Sequence, residues 1–268
     1  MHKRIAISVT FLLFISIISV LIWSYTHPAS KADVAIYAGR GTWDVSVGAL
    51  ERMFLWMNYS VELVGADYVN DIGLAGFRIL CIPGGDMYEY AQDISPRGKE
   101  HIRDFVHDGG GYIGVCGGAY FASQRVVWQG SQLPMTPLGL FAGTATGPIN
   151  EIIPYPNYTM CEVKIINHGH LVTQSERGSE WMLYYWGPAL IPNRDANVTI
   201  LGNYSKGNQT AMLAFDYYQG KVFLVGTHPE IEEDSDRDGG SFGDELDDQG
   251  SEWDLMQKAV LWSIKHTP

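Results

Sequence analysis

Paired cysteines are missing from this 268-residue chain. Its three cysteines, Cys81, Cys116 and Cys161, fall in neither a metal-type nor a paired spacing, so no disulfide framework or zinc knuckle is expected and at least one thiol stays unpaired. Basic residues are also scarce. Lys and Arg number 18 against 30 Asp and Glu, giving a formal charge of -12, so the clustered cations that a nucleic-acid partner requires are absent. There are no repeats or low-complexity tracts, which excludes solenoids and propellers. With 46% hydrophobic residues the chain can fill one well-packed core, leaving little room for a second full domain.

What is present begins with Lys3 and Arg4, followed by an apolar run over residues 5–23. That run is close to the ~20 residues a membrane-spanning helix needs, and longer than a secretory h-region. Residues 1–4 are therefore expected to be cytoplasmic, 5–23 an uncleaved anchor, with a cleaved signal segment as the alternative, and 24–31 a linker. The positive-inside rule places residues 32–268 on the extracytoplasmic side of a single-pass membrane protein. Five Asn-x-Ser/Thr triplets, at Asn58, Asn157, Asn197, Asn203 and Asn208, suit a glycosylating compartment.

From residue 32 the chain alternates between short apolar runs and segments of helical periodicity. Residues 34–37, 61–64, 79–83 and 112–115 read as buried strands, and residues 45–57 and 96–107 as helices, the second with Pro96 in its first turn. This alternation predicts a mainly parallel sheet covered on both faces, with chemistry beyond the C-terminal ends of the strands. Residues 162–166, 198–204, 210–215 and 222–225 read as an antiparallel extension. Residues 251–264 close the chain as an amphipathic helix with Trp253, Met256, Val260 and Ile264 on one face. The aromatic run 181–186 is expected in the core or in a pocket wall.

Two motifs carry chemistry. Gly114-Val115-Cys116-Gly117-Gly118-Ala119 is a strand running through Gly-x-Cys-x-Gly into a helix, which is the pattern of a nucleophile elbow. It makes Cys116 a nucleophile and the Gly117 N–H an oxyanion donor. Gly226-Thr227-His228-Pro229-Glu230 follows a predicted strand, and in extended chain His228 and Glu230 share a face. A carboxylate beside an imidazole fixes its tautomer, as the base of a thiol nucleophile requires.

Together these motifs resemble the signature of class I glutamine amidotransferases. The resemblance implies a flavodoxin-like three-layer α/β sandwich, a catalytic set of Cys116, His228 and Glu230, and a second oxyanion donor at Gly85 within Pro83-Gly84-Gly85. A closer resemblance is to the amidotransferase-like N-terminal domain of biotin-protein ligases and its stand-alone relatives. It is carried by Tyr37-Ala38-Gly39-Arg40-Gly41-Thr42, Ile82-Pro83-Gly84-Gly85-Asp86 and the stretch from Gly109 to Phe121. No Gly-Arg-Gly-Arg-type adenylate loop occurs in the sequence, so biotin ligation is not implied. Where a glutaminase carries Gly-His-Gln or similar, Gly118 leads into Ala119-Tyr120. Hydrolysis of a small-molecule amide or a peptide is therefore expected rather than glutamine-dependent ammonia transfer. A non-catalytic module binding a ligand or calcium on the same fold is the alternative.

Thiol chemistry requires no cofactor. One stretch nevertheless suggests calcium: Asp234, Asp236 and Asp238, then Gly239 and Glu245, match the oxygen-donor spacing of an EF-hand loop. Its position 8, usually aliphatic, is Ser241. His168 and His170 lack a third ligand and are expected in a polar loop.

Overall fold

The computed structural model describes residues 32–264 apart from 177, 234 and 247–249. The anticipated anchor over 5–23 lies outside the described residues. Among those described, no helix is long and apolar enough to cross a membrane.

The first half follows the βα alternation. β1 (Val34–Tyr37), β2 (Val61–Val64), β3 (Ile79–Ile82) and β4 (Gly111–Val115) are interleaved with α1 (Asp44–Trp56), α2 (Ala66–Asp71), α3 (Met87–Asp93) and α4 (Pro96–His107). A short helix, α5 (Gly117–Ala122), leaves β4 through a one-residue turn. After it come β5 (Ser123–Trp128), β6 (Ser131–Gln132), β7 (Phe141–Gly147), β8 (Thr159–Ile165), β9 (Ser179–Tyr184), β10 (Ala189–Pro192), β11 (Thr199–Tyr204), β12 (Thr210–Tyr217) and β13 (Gly220–Val225). The chain then runs through a 3₁₀ turn, Asp236–Asp238, to α6 (Trp253–Ser263).

Nine strands form one sheet in the order β2-β1-β3-β4-β13-β12-β11-β8-β9. The first five are parallel and the remainder antiparallel, so the anticipated extension is there and β13 is the strand at which the direction changes. β1, β3, β4 and β13 are buried along their whole length, which is why they read as unbroken apolar runs rather than alternating ones. Alternate residues of β1 feed two cores. Val34 and Ile36 pack with Leu50, Phe54 and Trp253 from α1 and α6. Ala35 and Tyr37 pack with Val69, Tyr90 and Ile102 from the helices of the other face. Each fully buried side chain of the size of Leu50 or Phe54 contributes roughly 1.5–3 kcal/mol.

Local chemistry sets the helix ends. Ser95 Oγ accepts from Gly98 N at 3.1 Å and Pro96 occupies the first turn, where its missing N–H costs nothing. The helix stops where Gly109 takes φ of 112°.

A second sheet of four strands, β10-β7-β5-β6, was not anticipated from the sequence. β5 starts with no turn residue after α5, and β7 reads Phe-Ala-Gly-Thr-Ala-Thr-Gly, which lacks the β-branched aliphatic and aromatic run that marks a strand. Tertiary burial makes it one: Phe141 and Ala145 pack with Leu213 and Phe215 of β12.

Candidate functional site

β4 and β13 are neighbouring parallel strands in register, Val115 opposite Val225, so the residues that follow them emerge at the same end of the sheet. Cys116 comes directly after β4, and its N–H donates to Val225 O at 2.9 Å. It has φ of 46° and ψ of -99°, a conformation that costs a non-glycine residue about 1–3 kcal/mol and persists only where the surroundings dictate it. Here they do. A Cβ on Gly118 would stand 2.1 Å from Ile82 O, and one on Gly114 would stand 2.8 Å from Gly118 O. The Cys116 carbonyl accepts from Ala119 N and Tyr120 N, both at 3.0 Å. The thiol is nearly buried, with Sγ 3.5 Å from Tyr185 O.

His228 is 1% exposed, and its N–H donates to Leu183 O of β9 at 2.9 Å. Its Nδ1 lies 2.9 Å from Glu230 Oε1, and the two are brought together by a turn at Pro229 and Glu230, in which Ile231 N donates to His228 O at 3.3 Å, rather than by extended chain. The imidazole packs directly against Gly84, where a Cβ would come within 2.4 Å of Cε1. Trp43 meets it edge-on, with ring centroids 5.1 Å apart. Burial opposes a charge on this ring. The thiolate of Cys116 and the carboxylate of Glu230 outweigh it, through charge and hydrogen bonding, and push the imidazole pKa up to about 10. Nε2 is buried and has no well-aligned hydrogen-bond partner among the described residues. The nitrogen that would exchange a proton with the thiol is thus held near Cys116 without a hydrogen bond of good geometry.

Glu230 is fully buried. Its Oε1 also accepts the Ser46 hydroxyl at 2.5 Å, while Ser46 Oγ accepts Gly84 N at 3.0 Å. Trp253 Nε1 holds the Glu230 carbonyl at 3.0 Å. Ser46 therefore joins the carboxylate to the turn carrying Gly85. That turn is tied to Gly41: Asp86 N donates to Gly41 O at 2.8 Å and Trp43 N to Gly84 O at 2.9 Å. Gly85 has φ of 146° and its Cβ would stand 2.3 Å from Gly41 O, so only glycine fits. Gly117 packs directly on it, where a Cβ would lie 2.8 Å from Gly85 N. The two backbones expected to face an oxyanion are therefore neighbours. Ser46 left no sequence signal, being a lone serine inside an amphipathic helix. Trp43 could have been suspected from its place next to the Gly39–Thr42 turn.

Above Cys116 opens a cleft of about 630 Å³, bordered by Gly85, Cys116 and His228 at its floor and by Trp43, Tyr120, Trp128 and Tyr185 on its walls. Tyr185 and Trp186 come from the aromatic run, whose Tyr184 instead enters the core. Cys81 and Cys161 are buried and unpaired, and burial pushes both thiols well up.

The acidic segment, read above as a calcium loop over Asp234, Asp236, Asp238 and Glu245, is described only in part. Asp234 lies outside the described residues, and Asp236 begins the 3₁₀ turn. Asp238 is buried with both oxygens on backbone, accepting from Glu232 N at 3.2 Å and Gly240 N at 2.9 Å. Glu245 accepts the Tyr158 hydroxyl. Among the described residues no group of three or more His, Cys, Asp or Glu side chains is placed to hold a metal ion. A cation is present in another form: Arg237 bonds Glu232 at 2.7 Å and Ser251, and lies 4.1 Å over the Trp253 ring. His168 and His170 serve their own loop, against Glu176 O and Val172 N.

The biotin-protein ligase N-terminal family model matches residues 32–257. The biotin–protein ligase of Schizosaccharomyces pombe is 25% identical over 217 residues, which cover 74% of this chain and 33% of the ligase. The chain thus spans about a third of the length of that relative. Among solved structures, a glutamine amidotransferase from Thermotoga maritima superposes with a TM-score of 0.61 at 12% identity, covering 88% of this chain and all of that one. A ThuA-like protein from Bacteroides uniformis gives 0.55 at 14% identity, covering 88% and 94%. These structural likenesses speak for the fold: a mixed-sheet α/β domain of the amidotransferase kind. With the match running from residue 32 to residue 257, the chain belongs to the biotin-protein ligase N-terminal family.

Proposed function

We propose that the chain is a thiol-dependent hydrolase of an amide or peptide bond. What carries the reading is the convergence of a strained cysteine at the end of β4 with a buried His228–Glu230 pair at the end of the adjacent strand. In the proposed reaction the Cys116 thiolate attacks the carbonyl carbon, and the oxygen takes up charge facing the N–H groups of Gly85 and Gly117. The C–N bond breaks as the His228 imidazolium gives a proton to the leaving amine. Water, deprotonated by the neutral imidazole, then hydrolyses the thioester and restores the thiol. Glu230 keeps Nδ1 protonated and Nε2 as the exchanging nitrogen, with Ser46 holding the carboxylate.

A second reading, a ligand-binding module with a silent triad, is favoured by the absence of a well-aligned hydrogen bond on Nε2. Iodoacetamide labelling followed by mass spectrometry separates the two. Catalytic competence requires Cys116 to be alkylated at neutral pH far faster than the buried Cys81 and Cys161, and faster than in a His228→Ala variant. Equal, slow labelling of all three thiols would leave the binding module.

The apolar segment 5–23 and the basic residues before it support placing this hydrolase outside the cytoplasm on a single-pass anchor. Protease digestion of intact cells tests the topology: an epitope at the C-terminus should be removed without permeabilisation.

A further inference from the structure

The walls of the cleft restrict what it can accept. Six aromatic rings pass contact from one side of the floor to the other: Tyr120 to Trp128 at 5.8 Å, Trp128 to Tyr155 at 6.0 Å and Tyr155 to Trp186 at 4.7 Å. The belt continues from Trp186 to Tyr185 at 4.2 Å and from Tyr185 to Trp43 at 5.2 Å, and Trp43 then meets the His228 imidazole. It therefore starts beside the nucleophile and ends on the base.

No Lys or Arg is among the described residues lining this cleft, and its only acidic residue is Asp86. The His228 imidazolium is already committed to Glu230 and Cys116, so a free amino acid such as glutamine would bring its α-carboxylate to the site with no uncommitted cation to meet it, and burying a charge without a partner is strongly unfavourable. Two polar side chains at the rim are already engaged. The Thr42 hydroxyl donates to Gly39 O at 2.8 Å, and the Asp86 carboxylate caps α3 by accepting from Tyr88 N at 2.8 Å. The remaining side-chain partners include the hydroxyls of Tyr88, Tyr155 and Tyr185, and since aromatic walls also suit a sugar face, a carbohydrate is the comparison to make.

We propose that the cleft takes a neutral amide bearing a flat hydrophobic ring, held by stacking within the aromatic belt while its carbonyl lies over Cys116. The proposal rests on reading this site as the reactive one, but binding can be measured without the reaction.

Calorimetry on the whole protein carrying Cys116→Ala, which cannot form the thioester, would compare N-acetyl-phenylalaninamide, L-glutamine and the disaccharide chitobiose. The aromatic amide should bind about ten-fold or more tightly than either of the others. Adding Trp128→Ala or Tyr155→Ala, each on a part-exposed ring of the belt, should weaken it several-fold. Glutamine or chitobiose binding as well as or better than the aromatic amide would overturn the proposal. So would no binding of any probe up to about 10 mM, or binding unchanged by both belt variants. A failure of the thiol hydrolase itself would show instead in the iodoacetamide labelling of the wild type, with this binding intact.

Discussion

Replacing Ser46 by alanine tests whether one hydroxyl couples the carboxylate of the site to its glycine turn. The side chain is fully buried, donates to Glu230 Oε1 at 2.5 Å and accepts Gly84 N at 3.0 Å. Removing it strips one partner from each of two buried groups, and an unsatisfied buried group costs roughly 1–3 kcal/mol. The two losses overlap, since relaxation around the vacated hydroxyl serves both. Alanine also favours the helix by about 0.5 kcal/mol. The net destabilisation should be about 2 kcal/mol, which for a domain of this size lowers Tm by about 4–8 °C. Thermal unfolding followed by circular dichroism reads this directly, with exposed Ser131→Ala in β6 as a control that should leave Tm unchanged. The variant should also slow alkylation of Cys116, because Glu230 loses one of the contacts that orient it toward His228. A Tm within about 1 °C of wild type, with unchanged alkylation, would refute the coupling.

The remaining expectations concern charge, sterics and the acidic segment. The His228 pKa is raised in the folded protein, to about 10 from an ordinary 6.5, so its stabilising contribution is complete below about pH 6.5 and fades as the pH climbs toward 10. Cys116→Ser removes a group that helps raise it, so the fall in Tm should still begin near pH 6.5 but level off at a lower pH and be smaller in total; parallel Tm profiles between pH 6 and 10 for the two proteins would contradict this assignment. Gly118→Ala puts a methyl 2.1 Å from Ile82 O, where neither backbone can yield without disturbing the elbow. A loss of about 2 kcal/mol or more is expected in denaturant titration, and a neutral result would mean that the elbow is looser than described. Because both oxygens of Asp238 are bonded to backbone and Arg237 already bridges Glu232 and Ser251, millimolar calcium should shift Tm by less than about 1 °C. A rise of several degrees would return the segment to consideration as a cation site.

How much the sequence disclosed depended on whether a residue's role was local. The parallel strands were legible because burial on both faces demands unbroken apolar runs such as Val34–Tyr37, and α4 because Ser95 and Pro96 mark its start. Cys116, His228 and Glu230 were legible because glycines must crowd the nucleophile and because a two-residue spacing keeps a carboxylate within reach of its base, here through a turn rather than extended chain. Ser46 was not, since its partners, Glu230 and Gly84, are distant in sequence. The second sheet was hidden for a related reason: β7 is held by packing against β12 rather than by its own strand propensity. The acidic segment shows the limit of spacing: it follows the oxygen-donor spacing of a calcium loop, but spacing does not say which donors a carboxylate meets, and Asp238 meets Glu232 N and Gly240 N.

The adjacency of β4 and β13 carries an evolutionary consequence. Cys116 and His228 leave two strands joined by a single ladder of backbone hydrogen bonds, while everything between Gly117 and Tyr217, including the second sheet and most of the aromatic belt, is an excursion that departs from one strand and returns by the other. Apart from β9, whose Leu183 carbonyl accepts the His228 N–H, that excursion can be lengthened, shortened or redecorated without altering the spacing of Cys116 and His228. Selection can therefore rework the walls of the cleft largely independently of Cys116 and His228. Relatives that keep the elbow and the His-x-Glu segment can accordingly be expected to differ most in the rings that correspond to Trp128, Tyr155 and Trp186.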